Sequence, residues 1–134
     1  MPETAIASVP QKLFFLYGTL RRGDDNDITR LMPAPRWVGE GYIFGTMYHF
    51  GAYPGVVLGG DMSVFGEVYA VCATLEDKLD SIEAEYPALP DEYAKRSVQV
   101  LLDGREVTCF VYEVNPQYVA GKPVIASGDW VKDR

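Results

Sequence analysis

Leu13-Phe14-Phe15-Leu16-Tyr17-Gly18-Thr19-Leu20-Arg21-Arg22-Gly23 changes character more abruptly than any other stretch of this 134-residue chain. Four apolar residues run into a Tyr-Gly-Thr turn. A short apolar run closed by Gly reads as a buried strand that ends where the backbone turns sharply or approaches something closely. Beyond it, Arg21 to Gly23 and the polar series Asp24 to Asp27 predict a passage from core to surface within a few residues. Free N–H groups in such a turn can form a concave anion-binding nest, suited to a carboxylate or to the oxygen of a reacting carbonyl. An ordinary strand followed by a loop fits the same residues.

Working outward, the length predicts one domain, residues 1–134, with residues 1–12 a loose, Pro-punctuated tail. Hydrophobic residues make up 48% and aromatic residues 13% of the chain, which excludes a disordered polymer, and the longest apolar runs are far too short to span a membrane as helices. The net charge of -7 argues against nucleic acid or an anionic membrane surface as main partner, since both require a basic patch. Cys72 and Cys109 match no metal spacing and read as core thiols. His49 is the only histidine. No export signal is legible at the N-terminus, so the expected location is the cytoplasm.

Asp27 to Met32 predicts one helical turn closed by Pro33 and Pro35. Gly39, Gly41 and Gly45 within Arg36–Phe50 predict strands with bends or bulges and a strongly curved sheet. Val56–Leu58 reads as a short strand, Gly59-Gly60-Asp61 as a turn, and Ser63–Val71 as a further strand. On that strand Glu67 shares a face with aromatics, and a solvent-exposed rim position is expected for it.

The one convincing helix runs from Leu75 to about Glu85, with Thr74 as N-cap and Asp77 completing a capping box. Leu75, Leu79, Ile82 and Tyr86 form its apolar stripe. Glu83 lies about 60° to one side of the stripe's middle, and an acid at an apolar border is partly desolvated, which raises its pKa toward a value useful for proton transfer. The neighbouring acids Glu76 and Glu85 are expected to be functionally silent. Tyr93–Leu102 and Arg105–Val114 flank Asp103-Gly104, the signature of a two-residue hairpin, which pairs Leu102 with Arg105 and Arg96 with Val111. Arg96 shares its face with Val98, Val100 and Leu102 and is predicted to reach an acid on or near the helix. Trp130 is expected to pack back and anchor an otherwise irregular C-terminal segment.

The ordered series LYGTLRRG (Leu16–Gly23), YPG (Tyr53–Gly55), GEVY (Gly66–Tyr69), LDSIEAEYP (Leu79–Pro87), YAKR (Tyr93–Arg96) and SGDW (Ser127–Trp130) resembles the γ-glutamylcyclotransferase-like superfamily, and within it the small γ-glutamylamine cyclotransferase branch. The resemblance spans about residues 13–130. It implies an α+β fold: a small mixed, strongly curved β-barrel with one main helix. It also implies an enzyme that cyclises a γ-glutamyl amine or amide to 5-oxoproline and releases the amine, without cofactor or metal.

Carried over by residue, the resemblance makes Glu83 the general acid/base and sets the substrate's glutamyl part against the backbone of Tyr17, Gly18, Thr19 and Leu20. Tyr93, Arg96 and Tyr112 are its further substrate-binding candidates. Many relatives have Gly directly after the catalytic Glu, where this chain has Ala84. The partner expected is a small γ-glutamyl compound; a non-catalytic binding or regulatory module of the same fold is the alternative.

Overall fold

Strand β1 (Gln11–Leu16) buries both of its faces, which is why its sequence is apolar without alternation. Phe15 joins Ile43, Val64, Val100 and Val111 in the interior of a barrel, whereas Phe14 and Leu16 belong to a second apolar layer outside it. The computed structural model describes residues 11–24, 26–85 and 92–133, apart from the side chains of residues 83–85 and 133. The predicted tail therefore shortens, since Gln11 and Lys12 already belong to β1, and residues 1–10 lie outside the described residues.

Five strands close the barrel in the order β1-β3-β2-β4-β5. β1 runs antiparallel to β3 (Pro54–Cys72) from Gln11↔Cys72 to Leu16↔Glu67. It meets β5 (Arg105–Val114) in parallel at Phe14↔Phe110, which makes the sheet mixed. β2 (Arg36–His49) pairs with β3 along its length, with register shifts at Trp37/Gly39 and Phe44/Gly45. The second shift corrects the expectation of two strands separated by a turn at Gly59-Gly60-Asp61. Phe44 pairs with Ser63 and Gly45 with Leu58, so both flanks meet the same partner strand and the intervening residues form a bulge in one ladder. Gly59 and Gly60 make it with φ of 102° and 80°, values that residues with a side chain rarely adopt.

β3 runs directly into helix α1 (Ala73–Glu85), so the helix starts before the predicted cap and takes Thr74 inside it. Leu75 and Leu79 are fully buried against Phe14, Leu16, Tyr69, Val71 and Tyr112, with Ile82 packed at the margin. Each large side chain so buried contributes about 1.5–3 kcal/mol. Tyr86, the last residue of the predicted stripe, lies outside the described residues.

The hairpin of β4 (Tyr93–Leu102) and β5 has the predicted register, Leu102↔Arg105 to Arg96↔Val111. Its turn places Asp103 and Gly104 at φ of 52° and 78°, the two left-handed residues that match the twist of a tight hairpin. Trp130 is 2% exposed and meets His49 edge-on at 5.0 Å, fastening the C-terminal segment to the barrel. Cys109 is buried in the barrel and its thiol is pushed up to about 11 by burial; Cys72 is half-buried at the end of β3, and both are free thiols. No helix among the described residues is long and apolar enough to cross a membrane.

Candidate active site

Where β1 ends, the chain turns through Tyr17-Gly18-Thr19-Leu20, and these four residues line a cleft with Phe15, Leu16, Tyr53, Pro54, Ile82, Tyr93 and Tyr112. Six of the predicted site residues are thus brought together: Tyr17, Gly18, Thr19, Leu20, Tyr93 and Tyr112. The cavity volume is about 30 Å³, more than the roughly 10–15 Å³ that seats one water.

Local hydrogen bonds fix the turn. The amide of Arg21 donates to Gly18 O at 3.0 Å, that of Asn26 to Thr19 O at 2.9 Å, and that of Ile28 to Leu20 O at 2.9 Å. The amides of Gly18, Thr19 and Leu20 make no backbone–backbone hydrogen bond in a turn or loop among the described residues. The polar series after the turn passes to the surface only in part: Arg22 and Gly23 are exposed. Arg21, Asp24 and Asp27 are buried. Asp27 caps the 3₁₀ turn Ile28–Arg30 and accepts from the amides of Gly23 and Thr29 at 2.8 Å each. Burial pushes its carboxyl upward, but these bonds and the Thr29 hydroxyl outweigh it and hold the group below its ordinary range.

Three tyrosines brace the cleft. Tyr17 donates its hydroxyl to Tyr112 O and Tyr93 donates to Pro54 O, each at 2.6 Å. Tyr112 donates to Asp80 Oδ1 at 2.7 Å, joining the hairpin to helix α1. Tyr53 stands over Tyr93 with ring centroids 6.2 Å apart. Ile82, on helix α1, is on the cleft wall; the Glu83 and Glu85 side chains lie outside the described residues.

Arg96 is placed elsewhere. Its guanidinium is exposed and meets Glu113 at 3.4 Å on the neighbouring strand, and Arg96 does not line the cleft. The expected link to the helix is therefore corrected: α1 covers the opposite face of the hairpin, so Lys95 reaches Asp80 at 3.1 Å and also pairs with Glu76. A half-exposed pair such as Arg96–Glu113 contributes at most about 1 kcal/mol.

Glu76 is buried and is also met by Lys12 at 3.2 Å. Burial raises its pKa, but the bonds from Lys95 and Lys12 outweigh this and the net shift is downward; Lys95 shifts upward despite burial, because Glu76 and Asp80 hold its proton. The lowered carboxyl stabilises the fold above the ordinary Glu range and loses that contribution as pH falls through it. The raised ammonium stabilises below the ordinary Lys range and loses that contribution at higher pH. Glu76→Gln is accordingly expected to lower stability by about 1–3 kcal/mol and to flatten the acid limb of a melting-temperature profile between pH 3 and 7. An unchanged acid limb would show that the Lys95–Glu76 contact does not stabilise the fold.

Glu67, expected at an exposed rim, is 4% exposed. Its carboxylate accepts from Arg21 Nε at 3.2 Å, from the Arg22 amide at 2.9 Å and from the Tyr69 hydroxyl at 2.9 Å. Burial first, and then the adjacent carboxylate, raises the Tyr69 pKa, so this hydroxyl remains a donor. The Arg21 partner was hidden from sequence reasoning by its distance along the chain; the available signal was that GEVY and LYGTLRRG are both prominent motifs. Among the described residues, no three His, Cys, Asp or Glu side chains gather in a group able to hold a metal ion.

A family model described as gamma-glutamyl cyclotransferase, AIG2-like, matches residues 14–132. The chain belongs to this family. A Vibrio cholerae protein named "Putative gamma-glutamylcyclotransferase" is 33% identical over 125 residues, covering 90% of this chain and 96% of the relative. Among solved structures, the mouse AIG2-like protein GGACT superposes with a TM-score of 0.70 at 27% identity, covering 89% of this chain and 88% of the mouse chain. YkqA of Bacillus subtilis superposes with a TM-score of 0.72 at 26% identity, but there the match spans 40% of the longer protein. The cleft of this AIG2-like cyclotransferase family member lies at its LYGTL turn, and the curved barrel with one main helix is the fold of these neighbours.

Proposed function

We propose that this protein cyclises a γ-glutamyl amine or amide to 5-oxoproline and releases the amine. The observation that carries the reading is the convergence at one narrow cleft of the backbone turn Gly18–Leu20, the tyrosines 17, 93 and 112, and the helical wall at Ile82, in a chain matched by the cyclotransferase family over residues 14–132.

The substrate brings its own nucleophile, the α-amine, at the distance that closes a five-membered ring. The protein supplies a base, donors for developing negative charge, and a fixed conformer. Glu83 removes a proton from the α-ammonium, the freed amine attacks the γ-carbonyl carbon, and the carbonyl oxygen becomes an oxyanion held by amides of the Gly18–Leu20 turn. As the carbon–nitrogen bond to the leaving amine breaks, Glu83 gives that proton to the leaving nitrogen and takes the second proton from the ring nitrogen, and the oxyanion reforms the carbonyl of neutral 5-oxoproline. Holding the flexible glutamyl chain folded contributes through proximity, worth about 7–11 kcal/mol in favourable intramolecular systems. Tyr53 and Pro54 lie in the Gly51–Gly60 region of the chain and form the wall next to the leaving group.

Incubation with a panel of γ-glutamyl amines, γ-glutamyl amino acids and γ-glutamyl peptides, with 5-oxoproline measured as product, tests this. Turnover of at least one class is expected. Saturable binding of 5-oxoproline with no turnover across the panel would instead identify a binding module.

A further inference from the structure

Glu67 holds both ends of the turn that lines the cleft. Its own backbone pairs with Leu16, the last residue of β1 before Tyr17. Its carboxylate accepts from the Arg21 guanidinium at 3.2 Å and from the Arg22 amide at 2.9 Å, immediately after Leu20. Arg21 continues the chain of contacts, with Nη1 2.9 Å from Asp129 Oδ1 and the guanidinium 5.2 Å from the centre of the Phe65 ring. The Arg21 side chain is only 7% exposed and that of Glu67 6%, yet neither residue lines the cleft. One cation thus faces two carboxylates, with the Tyr69 hydroxyl as a further donor to Glu67.

Apolar side chains of similar volume can often fill such a space at no loss of stability, because desolvating the ions offsets much of their attraction. What a buried ion cluster adds over apolar packing is direction: a bidentate acceptor and a planar guanidinium admit few arrangements. We infer that Glu67 and Arg21 are positioning residues for the Tyr17–Leu20 turn, setting where its amides stand in the cleft while touching no substrate themselves. This rests on the cyclotransferase reading for its catalytic consequence, but its structural content stands apart from it.

The test uses the full chain and two independent readouts. In Glu67→Gln, which keeps an oxygen for the Arg22 amide but loses the charge that holds Arg21, amide hydrogen exchange at Arg21 and Asn26 is expected to quicken at least about tenfold. Both amides bond to carbonyls of the turn, Gly18 O and Thr19 O, and not to Glu67. Exchange at β5 should be unchanged. With a γ-glutamyl amine that the wild type turns over, kcat should fall about 10²-fold with KM little altered and the pH profile unshifted, since misplacement of donors and not loss of the base is at issue. Asp129→Asn, at the partly exposed end of the cluster, carries the test should Glu67→Gln not fold, with exchange at Arg21 expected to quicken about fivefold. Unchanged exchange at Arg21 and Asn26 in a folded variant would overturn the inference. Absence of turnover in the wild type would instead count against the proposed function and leave the exchange result to decide this one.

Discussion

Glu83→Gln is expected to lower kcat by about 10²–10⁴ while leaving melting and the binding of 5-oxoproline nearly unchanged. Glutamine is nearly isosteric with glutamate, so the helix and its docking should survive, with a stability change of at most about 1 kcal/mol. It can neither accept the proton of the α-ammonium nor return one to the leaving nitrogen. The prediction follows from the proposed role of Glu83 as general acid/base; the residue before it in helix α1, Ile82, forms part of the cleft wall. The control must be chosen with the structure in view. Glu76 cannot serve, although its sequence position suggests a silent acid, because it is buried and paired with Lys95 and Lys12. Asp77 is exposed on the same helix, and Asp77→Asn should leave turnover within about twofold, as for an ordinary surface substitution. Near-wild-type turnover in a folded Glu83→Gln would remove both the assignment and the mechanism.

The elements most legible in the sequence are those whose signals are local. Asp103-Gly104 sets the hairpin register, because a two-residue turn leaves one pairing that keeps Val100, Leu102, Cys109 and Val111 on a common buried face. The uninterrupted Leu13–Leu16 run marks a strand covered on both sides. What sequence reasoning misses depends on partners far away along the chain. Arg21 reads as a surface cation until it meets Glu67, 46 residues on, and Asp129, 108 residues on.

The exchange of roles between Lys95 and Arg96 has the same origin. Pattern alone shows that successive residues face opposite sides of the sheet, but not which side the helix covers. The helix lies over Tyr112, Phe14 and Leu16, so the acids at Glu76 and Asp80 fall to Lys95, and Arg96 is left to Glu113. In the sequence the bulge at Gly59–Gly60 reads as a turn, because the same two glycines satisfy either. Only the continued pairing of both flanks with β2 distinguishes them.

Gly18→Val is expected to weaken binding of 5-oxoproline by at least about tenfold, or about 1.4 kcal/mol, and to lower stability by about 1–3 kcal/mol through overpacking. The sequence suggests that a side chain here would either strain the backbone or fill the cleft, and the structure selects the second cause. Gly18 is not among the residues with positive φ, so strain in the left-handed region does not arise. A Cβ at this position would instead lie 2.9 Å from Pro54 Cγ and 3.0 Å from Pro54 Cδ, closer than unstrained carbon atoms approach. Pro54 has little freedom to retreat. Its ring is rigid, its backbone pairs with His49, and its carbonyl accepts from the Tyr93 hydroxyl. Behind it Gly55 already packs so tightly that an added Cβ would come within 2.8 Å of Val114 Cβ. Valine adds two methyl groups beyond the Cβ, and the cavity volume is about 30 Å³, so whatever the neighbours do not yield is taken from the ligand. Gly18→Ala should fall between wild type and valine in both measurements, since it introduces the Pro54 overlap alone. Calorimetric titration with 5-oxoproline beside thermal melting separates the two effects, and a folded valine variant with wild-type affinity would show that the ligand does not sit against this turn.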